Sequence, residues 1–228
     1  MGGHPLAVFL SLALPNDLPQ KWIDGFYSGL LSLADHFRVP LAGGDTAQTP
    51  AGILADIMAL GSVPRGKAIL RSGAQPGDRI YATGKLGLGG ASVRRLYAGE
   101  RLRPTGEYFY PTPRLEAGGK LHGIASAMID ISDGLSTDLA HICEESGVGA
   151  VVYDSAIPVA AKATIDDALH GGDDYELLFT SSKRVPRKIA GVPIAEIGQI
   201  MERKGMWIQD EQGRSKRLKS RGWQHFSS

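Results

Sequence analysis

Acidic residues flanked by glycine or hydroxyl side chains recur at three places: Gly43-Gly44-Asp45-Thr46, Asp130-Ile131-Ser132-Asp133-Gly134 and Gly171-Gly172-Asp173-Asp174-Tyr175-Glu176. Each reads as an apolar strand running into an acidic turn, so that carboxylates converge on a cleft while their backbones stay hydrogen-bonded. Magnesium takes hard oxygen ligands and usually keeps substrate phosphates in its shell. Glycines let a phosphate approach backbone N–H groups closely. On residue types alone, the pattern points to a site for a phosphate or a divalent cation. Asp130 suits a metal from the strand end, while Asp133 faces the start of the next helix. The structural alternatives are an Asx turn at Asp45 and a helix cap at Asp133.

Arg71, in Leu70-Arg71-Ser72-Gly73-Ala74, suits a phosphate through its fork of donors; its alternative is a plain surface arginine. The loop Thr83-Gly84-Lys85-Leu86-Gly87 is glycine-rich but is no Walker A sequence. His36, His122, His141, His170 and His225 show no metal-ligand spacing and read as structural or exposed. Cys143, the single cysteine, sits in a helical pattern as a small core residue. It excludes an internal disulfide and fits a reducing compartment.

These groups need elements to hold them. Leu6 to Leu14 is apolar on both faces and predicts a strand buried on both sides. Asp17 and Gln20 resemble a capping box opening a helix whose apolar face runs from Trp22 to Phe37. Gly25 and Gly29 inside it suggest close packing on a neighbour. Strands are expected at Val39–Ala42, Ile53–Val63, Arg79–Thr83, Ala127–Ile131, Ala150–Tyr153, Tyr175–Thr180, Ile194–Ile200 and Met206–Gln209. Helices follow Gly90 and Gly134, the latter stopped by Gly147. Gly99 to Arg114 reads as a long ordered loop. Without strict βαβ alternation, α+β is the expected class.

Bulk properties narrow the partners. With 228 residues, 43% of them hydrophobic, the chain has material for a real core, and a net charge of +1 argues against a nucleic-acid or acidic-membrane partner. The basic run Arg214, Lys216, Arg217, Lys219 and Arg221 reads as a solvated strand and turn. No stretch is long enough to span a bilayer or shaped like a signal peptide, so the expected location is the cytoplasm.

The motifs, in this order, resemble the thiamine-monophosphate kinase family, in the superfamily shared with aminoimidazole-ribonucleotide synthetase and selenophosphate synthetase. Further matching segments are Leu10–Pro15, Arg71–Asp78, Tyr81–Gly84, Pro111-Thr112-Pro113-Arg114 and Gly222-Trp223-Gln224-His225-Phe226. The resemblance implies a two-domain synthetase-like fold of mixed sheets packed with helices. It implies an ATP- and magnesium-binding, dimerising N-terminal domain over 1–66 and a C-terminal α/β domain over 67–228.

It also implies roles. Tyr27, Gly44, Asp45, Arg71 and Ser132 would meet ATP, and Asp45, Asp130 and Asp133 would bind Mg2+. Asp173, where the family usually has glutamate, and Trp223 would contact the thiamine substrate. The implied reaction moves the γ-phosphoryl group of ATP directly onto thiamine monophosphate, with no catalytic side chain required as nucleophile. The family begins with a further metal-binding segment before the Leu6 strand. The N-terminal domain is therefore expected to be incomplete, the activity impaired, and a homodimer to require that domain intact. The competing expectations are a non-catalytic nucleotide-binding remnant or a related synthetase with another acceptor.

Overall fold

The computed structural model describes residues 1–103, 106 and 108–223. They form two compact units, Gly3–Pro64 and Met1–Gly2 together with Arg65–Ser228. Both mix strands and helices, giving the α+β class.

The Gly3–Pro64 unit contains β1 (His4–Leu14), α1 (Gln20–His36), β2 (Leu41–Gln48) and β3 (Leu54–Ser62). β1 is the middle strand of a three-stranded sheet, parallel to β2 and antiparallel to β3. Its central place agrees with the apolar run, but burial on both faces does not hold within this chain. Leu10 and Leu12 are buried, whereas Leu6 and Phe9 are exposed. Two neighbours satisfy both edges of a strand, but covering both faces needs two layers, and this unit has one helix.

The capping box at Asp17 does not form. Pro19 is the extended residue before α1 and no side chain caps it. A residue preceding proline is steered away from helical geometry, so the helix cannot begin at Leu18. Gln20 instead donates to Asp24 Oδ1 at 2.9 Å. Nor do Gly25 and Gly29 mark a packed face, since a methyl group on either would meet no atom of this chain within 4 Å.

The larger unit comprises β4 (Arg79–Thr83), α2 (Leu88–Tyr97), α3 (Leu115–Lys120), β5 (Ala127–Ile131), α4 (Leu135–Ser146), β6 (Gly149–Tyr153), α5 (Ile165–His170), β7 (Glu176–Ser181), β8 (Lys188–Ile189), β9 (Val192–Met201), β10 (Gly205–Gln209) and β11 (Ser215–Arg217). Seven strands run in the order β11-β10-β6-β9-β4-β7-β5, with β8 paired onto β9. The β10–β6 pair is parallel and the remaining pairs are antiparallel.

Strand alternation divides the side chains into two cores. Ile80, Ala82, Ile129, Ile131 and Leu178 join Leu135, Leu139 and Ile142 of α4 in one. Tyr81, Met128, Leu177 and Phe179 join Ala117 of α3 and Leu121 in the other. The three α4 side chains are fully buried, each contributing about 1.5–3 kcal/mol. That anchoring fixes where α4 begins, and so where the acidic turn before it sits. β5 ends the sheet order, and its free side is met by Leu70, whose carbonyl accepts from the Met128 amide at 2.8 Å. Among the described residues, no helix is long and apolar enough to cross a membrane.

Candidate functional site

The turn Ser132-Asp133-Gly134 joins β5 to α4, and its hydrogen bonds run in two directions. Inward, the amides of Ser132, Asp133 and Gly134 all donate to one oxygen of Asp138, at 3.2, 3.2 and 3.1 Å. Asp133 is therefore not the helix cap: α4 starts after Gly134 with no side-chain cap on its first residue. The acid one turn inside the helix collects the three amides of the turn that precedes it instead, leaving the half-buried Asp133 carboxylate available to a ligand. Asp138 is 1% exposed. Burial pushes its carboxyl up to about 6, against the opposing pull of the Asp133 and Gly134 amides, while the charges of Asp133 and Asp130 add to the rise.

Outward, the carbonyls of the same stretch accept from two other segments. Ile131 takes the Tyr175 amide at 2.8 Å, Ser132 takes the Asp173 amide at 2.9 Å, and Asp133 takes the Trp223 amide at 3.0 Å. The approach of the last segment is close. A methyl group on Gly222 would lie 2.0 Å from the Asp133 carbonyl oxygen, so only glycine fits there. Asp130, Ser132, Asp133, Asp173 and Trp223, five of the residues singled out in the sequence, are thus gathered around one turn. Gln224, His225 and Phe226 of the C-terminal motif lie outside the described residues.

Asp173 differs from the expected pattern, because it follows α5 and precedes β7 rather than ending a strand. It and Tyr175 both have left-handed backbone, φ 55 and φ 52, and the Tyr175 hydroxyl donates to Asp173 Oδ1 at 3.0 Å. Burial, that bond and the charges of Asp173 and Asp130 push the phenol up to about 12. Tyr175 was not singled out by the sequence reading. Its signal was hidden in a motif where the carboxylates drew attention.

On the other side of β5, Arg71 and Asp130 line one cleft of about 460 Å³ with Ser72, Met128, Ile129 and Glu145. Arg71 is exposed, and its guanidinium has no protein partner among the described residues. An unpaired fork of donors beside a carboxylate suits a phosphate that carries a divalent cation. Hard oxygens from Asp130 and Asp133 fit magnesium by donor type.

The glycine-rich loop, by contrast, is already filled by an internal anion. Asp174 accepts from the amides of Gly87 at 2.7 Å and Gly89 at 3.3 Å. Burial raises its carboxyl to about 6 against those bonds. The start of α2 therefore has no vacancy for phosphate. Beside it, Arg114 forks onto Glu176, with Nε donating to Oε2 at 2.8 Å, and Thr83 donates to the same carboxylate. Glu176 is 5% exposed, so the motif residues Arg114 and Glu176 form a buried ion pair.

The histidine reading needs one correction. Asp133, Asp138 and His141 present ligand atoms within 4.8 Å of one another, because positions 138 and 141 share a helix face with the turn. His170 Nδ1 pairs with Ser136 Oγ at 2.7 Å, His122 Nε2 pairs with the Gly2 carbonyl at 2.8 Å, and His36 is exposed. His225 is outside the described residues. Cys143 is buried, and its surroundings push the thiol up to about 12.

Tyr27, Gly44 and Asp45 belong to the Gly3–Pro64 unit. Asp45 lies inside β2, paired with Ser11, not at a strand end. A methyl group on Gly44, at φ 147, would sit 1.8 Å from the Leu10 carbonyl oxygen, so the glycine serves close parallel pairing with β1. Asp45 Oδ1 accepts from the Thr46 amide at 2.9 Å. Tyr27 is half-buried on α1 with its ring edge-on to Phe26.

Comparison with known proteins places these features in a family. Residues 1–63 match the N-terminal domain, and residues 75–210 the C-terminal domain, of AIR synthase related protein. The thiamine-monophosphate kinase of Salmonella typhimurium is 39% identical over 88% of this chain, and the chain spans 64% of that relative's length. The Escherichia coli K12 thiamine-monophosphate kinase is 34% identical over 100% of this chain and 76% of its own length. The structure of AaThiL complexed with AMPPCP and TMP matches with a TM-score of 0.85 at 28% identity, covering 99% of this chain and 75% of that one.

Proposed function

We propose that this chain, a member of the thiamine-monophosphate kinase family of AIR synthase related proteins, phosphorylates thiamine monophosphate to thiamine diphosphate with ATP and Mg2+. The observation that carries this reading is the turn at Ser132–Asp133. It gathers the acidic groups suited to a metal–phosphate complex, Asp130 and Asp133, and its carbonyls hold the residues assigned to the acceptor, Asp173 and Trp223. AaThiL, a relative of the same fold, is complexed with an ATP analogue and TMP.

Phosphoryl transfer asks the protein for positioning and charge neutralisation more than for a nucleophile. Arg71 supplies an exposed guanidinium for the nucleotide phosphates, and Ser132 stands between the two carboxylates in sequence. Asp130 and Asp133 would hold magnesium, which when bound neutralises charge on the transferring group. Asp173 offers a carboxylate, and Trp223 an exposed ring, to the permanently cationic thiazolium of the acceptor. Within the N-terminal domain, taken as 1–66 and followed by a C-terminal domain over 67–228, Tyr27, Gly44 and Asp45 are the residues assigned to nucleotide, with Asp45 also assigned to metal.

The reading carries a cytoplasmic location, a homodimer formed through the N-terminal domains, and no nucleic-acid partner. The near-neutral charge supports the last point. The exposed apolar side chains of β3, Leu54, Ile57, Met58 and Leu60, support an assembly partner there.

The test is chromatographic measurement of products from the chain with ATP and MgCl2, offered thiamine monophosphate, formylglycinamidine ribonucleotide or selenide in turn. Thiamine diphosphate with equimolar ADP is expected from the first alone. ATP consumption dependent on either other acceptor, giving ADP with formylglycinamidine ribonucleotide or AMP with selenide, would transfer the chain to another branch. Nucleotide binding without product would leave it a non-catalytic binder.

A further inference from the structure

Asp138 holds the two halves of the candidate site in register. One of its oxygens receives three consecutive amides, which points the carbonyls of Ile131, Ser132 and Asp133 away from α4. Those carbonyls are the acceptors for Tyr175, Asp173 and Trp223. The side chain is almost wholly buried, on a helix locked into the core by Leu135, Leu139 and Ile142. Its carboxylate also lies within 4.8 Å of the Asp133 carboxylate, so the turn it holds is the one that carries that side chain.

We infer that Asp138 is a positioning residue: it touches neither nucleotide nor acceptor, but orients the Asp133 carboxylate and, through the same turn, the backbones of Asp173 and Trp223. The inference rests on the magnesium reading of Asp130 and Asp133. Residues behind a metal ligand set its orientation and basicity, so their loss weakens metal binding while the fold survives.

The experiment follows backbone amides by NMR in the full chain, with Mn2+ as a paramagnetic stand-in for magnesium. Two variants are compared with wild type, Asp138→Ala and Asp138→Asn. In wild type, the amides of residues 132–134 exchange slowly with solvent and their signals broaden as Mn2+ is added. Asp138→Ala should free those three amides, together with those of Asp173 and Trp223, and raise the Mn2+ midpoint by about tenfold or more. Asp138→Asn keeps an oxygen acceptor, so it should retain slow exchange and a midpoint near wild type, a rescue that serves equally if the alanine variant does not fold.

Equal midpoints in wild type and Asp138→Ala, or unchanged exchange in Asp138→Ala, would overturn the inference alone. So would an Asp138→Asn chain whose turn amides exchange freely at an unchanged midpoint. A wild-type turn that never broadens would overturn the magnesium reading itself, and this inference with it.

Discussion

The backbone amide of Trp223 donates to the carbonyl oxygen of Asp133 over 3.0 Å, although 90 positions separate them. The bond brings the C-terminal segment to the acidic turn, while the indole remains 65% exposed. The backbone of Trp223 therefore has an architectural duty that does not depend on its ring.

Trp223→Ala removes the ring and keeps the backbone bond. KM for thiamine monophosphate should rise about two- to fivefold, matching about 0.5–1 kcal/mol for a cation over an exposed ring. Steady-state kinetics beside a melting curve checks this. A fall in melting temperature with KM unchanged would assign the indole to packing.

Glu176→Ala leaves the Arg114 guanidinium and the Thr83 hydroxyl without the carboxylate they share. Hydrogen bonds to a charged group are worth about 1.5–3 kcal/mol each. Urea unfolding should show that loss. A midpoint within error of wild type would mean the pair is not formed in solution.

Asp174 ties stability to pH. Its carboxyl is raised to about 6 in the fold from 3.8, so its favourable contribution is fully present below 3.8 and is lost as pH rises through 6. Asp174→Asn cannot ionise. Its stability relative to wild type should therefore improve between pH 4 and pH 7, read as urea midpoints at each pH. A constant difference would show that burial does not govern this carboxyl.

Cys143 should be inert in the native chain, because it is buried and its thiol is pushed up to about 12. Iodoacetamide at neutral pH should leave the mass unchanged by intact-protein spectrometry and add one label in denaturant. Rapid native labelling would contradict the packing of α4.

Much of the larger unit was legible because its strands are short, apolar and punctuated by glycine. Arg79–Thr83 and Ala127–Ile131 form over the residues expected, and Gly147 stops α4 in left-handed geometry as anticipated. What escaped was settled either by a partner distant in sequence or by a choice between neighbouring groups. Asp133 and Asp138 are equally plausible caps by type, and only the path of α4 decides that Asp138 takes the amides. Asp174 reaches a loop more than 80 positions away, so nothing local shows that the glycine-rich stretch binds an internal carboxylate. Asp17 failed as a cap because Pro19 controls the residue before it. Thr164 and Asp167 form a full capping box on α5, but a six-residue helix is too short to show periodicity. Gly44 carries a second requirement that local sequence does not show: only glycine permits its close pairing with the Leu10 backbone.

The most direct test of the account is the rate of thiamine diphosphate formation by Asp133→Asn against wild type at saturating ATP and MgCl2. The substitution keeps the backbone carbonyl that holds Trp223 and removes one carboxylate charge. The rate should fall about a hundredfold or more, with the melting temperature unchanged. A variant that turns over at the wild-type rate would contradict the claim that this turn joins metal to acceptor.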